Sequence, residues 1–197
     1  MSILLIAGSP SQPSRSTALL QATALRLQLQ GLSTAPVLSL SRLDAAALLA
    51  AQAHEAGVAD AVARVERAQA VVVATPIYKA AYSGLLKVFL DLLPQSALKG
   101  KAVLPLATGG SPHHMLALDY ALRPVLQSLG ARHILPGIYA TDHQVRLLPE
   151  GGYEVAPDIS ARIDEAVQLI VADAAHQPQA AAAPSDAVAF ADVRCSV

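Results

Sequence analysis

The stretch Ala70-Val71-Val72-Val73-Ala74 decides the fold. It is continuous, aliphatic and β-branched, the pattern of a strand buried on both faces of a parallel sheet. Working outward, residues 3–7 (ILLIA) form a similar apolar run, and residues 36–40 a weaker one. Between them, residues 16–30 carry apolar side chains at Leu19, Leu20, Ala22, Ala24 and Leu27 with no breaker, which predicts an amphipathic helix. Residues 43–53 and 58–68 also read as helical, the second ending just before the AVVVA run. Downstream, a helix over 83–93 stops at Pro94, and a buried strand follows at 102–107. Pro105 inside that strand predicts an edge position or a bulge. Residues 113–129 read as a helix distorted at Pro124 and ended by Gly130. The last core strand is 134–140, a short extra strand is marked at 153–155, and a final helix spans 159–175.

Strands alternating with helices predict an α/β fold whose parallel strands are joined by right-handed crossovers. Five strands at this length fit a flavodoxin-like, doubly wound sheet of order 2-1-3-4-5 with helices on both faces. One domain is expected over residues 1–175, followed by an Ala/Pro-rich tail at 176–197.

Composition excludes several function classes. The chain has 197 residues and is 53% hydrophobic but only 4% aromatic, with 40 alanines and no tryptophan. No apolar stretch approaches the roughly 18 residues of a spanning helix, and the first ten residues lack the basic start of a signal peptide. A net charge of −1 leaves no excess of cations to meet phosphates, which argues against nucleic acid and membrane surfaces as partners. The single cysteine, Cys195, precludes an internal disulfide and a cysteine-built metal site, so a reducing, cytoplasmic setting is expected. No metal site is expected.

In an open parallel sheet, ligands bind beyond the carboxyl ends of the strands, so chemistry is sought in the segments that follow them. After the first strand, Gly8-Ser9-Pro10-Ser11-Gln12-Pro13-Ser14-Arg15-Ser16-Thr17 gathers hydroxyls, backbone amides and one arginine at a helix N-terminus. Free N–H groups and the helix dipole favour an anion there, and without GK[ST] or GxGxxG a monophosphate suits the loop best. The alternative is an ordinary N-cap serine in a hydroxyl-rich loop. After the third strand comes Thr75-Pro76-Ile77-Tyr78-Lys79, where Pro76 is expected to end the strand and the backbone groups of Ile77, Tyr78 and Lys79 to meet the edge of a planar heterocycle. After the fourth, Thr108-Gly109-Gly110-Ser111 lets backbone approach a ligand closely. A packing loop and a plain turn are the alternatives at these two segments. Asp91 and Asp119 read as solvated or capping carboxylates.

The set GSPS–PSRS, ATPIYKAAYSGLLK, PLATGG and HHMLALDYALRP resembles the NAD(P)H-dependent FMN reductases of the flavodoxin-like superfamily, most of all the reductase component of alkanesulfonate monooxygenase systems. The resemblance covers roughly residues 1–145. It implies that Ser9, Ser14 and Ser16 bind the FMN phosphate, with Arg15 standing in for an arginine that the family usually has where this chain has Ser11. It also implies that Pro76, Ile77, Tyr78 and Lys79, with Thr108, Gly109, Gly110 and Ser111, hold the flavin ring.

The implied reaction is hydride transfer from NADPH or NADH to FMN, followed by supply of reduced flavin to a partner flavin-dependent monooxygenase. The cofactor carries this chemistry, so no catalytic side chain is assigned. Quinone or azo reductases and flavodoxin-like electron carriers are the alternative readings on the same scaffold. The resemblance further implies a homotetramer, a dimer of dimers, with Tyr120 in a helical bulge at the interface. Scarce aromatics add one expectation from composition: little ring stacking is on offer, which predicts modest flavin affinity.

Overall fold

The computed structural model describes residues 2–176, so the tail expected at 176–197 lies outside the described residues apart from His176. Strand β1 (Ser2–Ala7) leads into helix α1 (Arg15–Leu29), which begins where the Ser14 hydroxyl accepts the Thr17 N–H at 3.4 Å. Two short strands follow, β2 (Ser33–Thr34) and β3 (Leu38–Ser39), then a 3-10 turn at Leu40–Arg42. Helix α2 (Ala45–Leu49) is capped by Asp44 and α3 (Ala56–Arg67) by Glu55, each carboxylate accepting a backbone N–H of the first turn. Strand β4 (Ala70–Tyr78) turns back into β5 (Ala81–Tyr82), and helix α4 (Gly84–Asp91) leads to β6 (Ala102–Gly109).

The stretch expected as one helix over 113–129 is a 3-10 turn (Pro112–His114), a π-helical turn (Leu118–Leu122) and helix α5 (Arg123–Ser128). Pro124 sits in the first turn of α5, where its missing N–H costs nothing. Strands β7 (His133–Ile134) and β8 (Ile138–Thr141) are followed by β9 (Val145–Leu147), β10 (Tyr153–Val155) and helix α6 (Pro157–His176).

The main sheet runs β2-β1-β4-β6-β7, with β3 beside β1 and β8 beside β6. Taking β2 with β3, and β7 with β8, as interrupted halves of one strand each, this is the expected 2-1-3-4-5 order. The interruptions fall at Pro36 and at Pro136, neither of which has an N–H to continue the ladder. Strand β5 pairs antiparallel with β4, and β9 with β10 forms a separate antiparallel hairpin whose first strand sequence reading missed.

Two expectations about prolines are corrected. Pro76 does not end its strand: β4 continues to Tyr78, with Pro76 in register with Thr108 of β6. The Ala74 carbonyl faces β1, accepting the Gly8 N–H at 2.8 Å, so Pro76, two residues on, faces the same side. There β1 has already ended at Ala7, and no ladder bond is lost. Pro105 is neither on an edge strand nor in a bulge, since β6 has neighbours on both sides. The Val103 carbonyl accepts the Leu135 N–H, so Pro105 faces that same side, at the break between β7 and β8.

Side chains alternate between two cores, as a doubly covered sheet requires. Val71, Val73 and Val103 pack with Leu48 of α2, Val58 and Val65 of α3, Leu86 and Phe89 of α4, and Leu122. Ala70, Val72, Ala74 and Leu104 pack with Leu19, Leu20 and Leu27 of α1 and Ile163 and Val167 of α6. Ala18, Ala22 and Ala166 are buried on the inner faces of α1 and α6, one structural use of the alanine excess.

Candidate functional site

The carboxyl ends of β1, β4 and β6 lie side by side, so the loops that follow them meet at one edge of the sheet. They enclose a cleft of about 300 Å3 lined by Ser9, Ser14 and Arg15, by Pro76, Ile77 and Tyr78, and by Thr108, Gly109 and Gly110. Nine of the residues singled out in the sequence thus share one cavity. The other three stand close by in the chain. Ser16 is buried, its hydroxyl 3.0 Å from that of Ser14. Ser111 follows the two glycines and its hydroxyl accepts the His113 N–H at 3.3 Å. Lys79 is at the exposed tip of the β4–β5 turn.

The first loop is tied down from below. Ser83 precedes α4 and caps it by accepting the Leu86 N–H at 3.1 Å. Its hydroxyl also donates to the Gly8 carbonyl at 2.5 Å, and its own N–H donates to Thr75 Oγ1 at 3.0 Å. Gly8 is needed here, because a Cβ would lie 3.0 Å from the Leu86 Cβ and 3.1 Å from the Ala74 carbonyl oxygen. Ser9 closes the loop on itself, its hydroxyl accepting the Ser11 N–H at 3.2 Å. At the start of α1 the Thr17 N–H is taken by the Ser14 hydroxyl and the Ala18 N–H by the Ser14 carbonyl, while those of Arg15 and Ser16 have no carbonyl of their own helix to bond.

The ring-side loops are shaped by their backbones. Lys79 and Ala80 make a two-residue turn with φ of 50° and 63°, the left-handed region that hairpins of this length demand. Neither is glycine, so the turn stores roughly 1–2 kcal/mol per residue in a loop bordering the cleft. At Gly109 a Cβ would collide with the Tyr139 hydroxyl, which donates to the Ser111 carbonyl at 2.5 Å. At Gly110 a Cβ would meet only the Asp142 carboxylate, 3.9 Å away. A planar ligand therefore finds bare backbone on this side, and hydroxyls with one guanidinium on the other: the donor set fits a flavin mononucleotide.

Two positions at the cleft escaped sequence reading. Asp142, beyond β8, lines the cleft and approaches the Arg15 guanidinium at 3.6 Å, both side chains being about two-fifths exposed. Tyr139 pins the Ser111 loop; burial first, and the Asp142 carboxylate second, push its phenol above the ordinary range, while its bond to Ser111 pulls the other way. Neither carries a local motif: Tyr139 lies within β8 and Asp142 directly follows it. Asp91 and Asp119 are exposed and pair with Lys87 at 2.6 Å and Arg123 at 3.0 Å, as solvated carboxylates do. Tyr120 lies in the π-helical turn and is 79% exposed.

Residues 1–146 match the family described as NADPH-dependent FMN reductase. The chain is 43% identical over 169 residues to an FMN reductase (NADPH) of Escherichia coli (strain K12), spanning 85% of this chain and 87% of that one. It is 32% identical over 173 residues to an NADH-dependent FMN reductase of Pseudomonas putida, spanning 86% and 92%. Among solved structures, an NADH:FMN oxidoreductase in its apo form is similar at a TM-score of 0.79 and 39% identity, covering 90% of this chain and 91% of that one. A Streptococcus pneumoniae flavodoxin, at a TM-score of 0.57 and 16% identity over 87% of this chain and 98% of that one, shares the fold alone.

Proposed function

The chain belongs to the NADPH-dependent FMN reductase family, and from that premise we propose where it holds its flavin and what it does with the product. It is an oxidoreductase that uses NADPH or NADH to reduce FMN. One observation carries the site assignment: three loops, far apart in sequence, converge on a single cleft at the carboxyl edge of the sheet.

In this reading Ser9, Ser14, Ser16 and Arg15 hold the phosphate with the amides at the start of α1. Pro76, Ile77, Tyr78 and Lys79 border one side of the ring, and Thr108, Gly109, Gly110 and Ser111 the other. When bound, the flavin accepts hydride from the reduced nicotinamide and supplies the redox chemistry itself. The protein's residues contribute position: the Ser83–Gly8–Thr75 network fixes the phosphate loop, and Tyr139 fixes the Ser111 loop.

We further propose that FMN binds, is reduced and departs to a partner flavin-dependent monooxygenase of the kind that releases sulfur from alkanesulfonates, in the cytoplasm. Two features support transient binding: among the described residues Tyr78 is the one aromatic side chain lining the cleft, and Arg15 is shared with a carboxylate. Among the described residues no helix is long and apolar enough to cross a membrane. The exposed apolar side chains of Met115, Leu116 and Tyr120 surround the π-helical turn, which supports an interface there in a dimer of dimers.

The test is oxidation of NADPH and of NADH by purified protein with and without added FMN, together with titration of the apo-protein with oxidised FMN. A rate dependent on added FMN and a micromolar-range dissociation constant are expected. An FMN-independent rate with stoichiometric, non-dialysable flavin would instead indicate a prosthetic group, as in quinone or azo reductases.

A further inference from the structure

Beside the cleft lies a second hollow of about 360 Å3. Pro13 and Ser14 line both, so the two share a wall formed by the phosphate loop itself. Its other walls are the first turns of α1, the end of β3 with the 3-10 turn after it, and the β9–β10 hairpin. Along the sheet edge the order is therefore ring loops, phosphate loop, hollow.

The lining chemistry is specific. Tyr153 and Leu147 supply apolar surface, Gln12 and Gln21 supply amides with both donors and acceptors, and Arg42 supplies a cation. Among the described residues no Asp or Glu lines the hollow, although the chain has more acids than bases, 15 against 14. Among the described residues Arg42 forms no ion pair, whereas Arg15 on the other side of the shared wall does. The helix α1, whose positive end faces this corner of the fold, has no acidic residue in its first turn. An aromatic ring, two amides and an unopposed guanidinium beside a phosphate loop are the groups that recognise an aromatic base carrying a phosphate.

We propose that this hollow is a subsite for an adenosine phosphate, with Arg42 on the phosphate and Tyr153 against the base. The proposal rests on the assignment of the neighbouring cleft to FMN. Two molecules bring that chemistry to the site. FAD carries an adenosine phosphate attached to the flavin phosphate, and the hollow begins where that phosphate would end. NADPH carries an adenosine phosphate of its own, distinguished from NADH by one further phosphate.

Arg42 is exposed, so its replacement leaves folding intact. Steady-state kinetics of wild-type, Arg42→Glu and Tyr153→Ala protein would be measured with FMN, FAD, NADPH and NADH, with adenosine 5′-monophosphate and adenosine 2′,5′-bisphosphate as inhibitors. A loss of about tenfold or more in kcat/KM is expected from removing one charge-assisted contact. If the loss falls on FAD and spares FMN, the flavin dinucleotide is the source. If it falls on NADPH and spares NADH, the pyridine nucleotide is the source. In either case one of the adenosine phosphates inhibits wild type and loses potency against Arg42→Glu. Unchanged constants for all four substrates, or inhibition that is absent or insensitive to Arg42, overturn the subsite. Failure of the FMN assignment is separately visible as a wild-type enzyme with no FMN-dependent rate.

Discussion

Asp142 brings a carboxylate to within 3.6 Å of Arg15, in the cleft assigned to an anionic ligand. If the proposed phosphate site holds, Asp142 would weaken an incoming phosphate twice, by repulsion and by occupying the guanidinium assigned to that phosphate. Both side chains are substantially solvated, so the effect is modest, on the order of 1 kcal/mol. Asp142→Asn is therefore expected to lower KM for FMN severalfold and to leave KM for riboflavin, which has no phosphate, unchanged. A raised KM for FMN in the variant would mean that Asp142 serves to position Arg15. Arg15 was legible in the sequence as the cation of the loop, because it adjoins the N-cap of a helix. Asp142 was not, because the two residues lie on separate strand–helix units and only sheet order brings them together.

At the level of elements, Ser83 joins helix α4 to the phosphate loop. Its hydroxyl caps α4 at the Leu86 N–H and donates to the Gly8 carbonyl, all of it buried. Ser83→Ala removes the cap, about 1 kcal/mol, and strands a buried carbonyl, a further 1–3 kcal/mol. A loss of about 2–4 kcal/mol in urea denaturation is expected, with weaker FMN binding from a loosened loop; a loss under about 1 kcal/mol would show that water replaces the hydroxyl. The start of this helix was readable from sequence, since Ser precedes an apolar run. The reach of the same hydroxyl to Gly8 was not. Likewise, Pro124 signalled an irregular helix, yet the π-helical turn at Leu118–Leu122 lies upstream of it, and Pro124 itself begins a regular segment.

Across the whole molecule, three half-buried or buried phenols set the response to alkaline pH. Burial raises the pKa of Tyr82, Tyr139 and Tyr153, partly offset by Lys87 near Tyr82, by the Ser111 bond at Tyr139 and by Arg26 near Tyr153. An unfolded tyrosine ionises near pH ~10, so above that the unfolded chain has released protons that the fold retains. This stability is present in full below pH ~10 and is lost as pH rises through the folded values. Burial acts oppositely on Lys101, lowering its pKa, so folding there becomes more favourable as pH rises through the depressed value. Lys87 is also raised, first by its bond to Asp91, so with four groups against one the urea midpoint is expected to fall between about pH 10 and pH 12, and less steeply in Tyr139→Phe. A midpoint that holds or rises over that range would contradict this balance.

The sequence by itself determined the alternation of strands and helices, the order of the sheet, the doubly buried AVVVA strand and the three loops at its carboxyl edge. These depend on hydrophobic period, caps and breakers, which act over a few neighbouring residues. Tertiary structure alone decided how far β4 and β6 run through their prolines, since a missing N–H matters only if a neighbouring strand faces it. It also decided the pairing of Arg15 with Asp142, the reach of Tyr139 to Ser111, and the hollow between α1 and the β9–β10 hairpin. Each of these is a contact between segments brought together by packing, and no local pattern in the chain encodes such a distance.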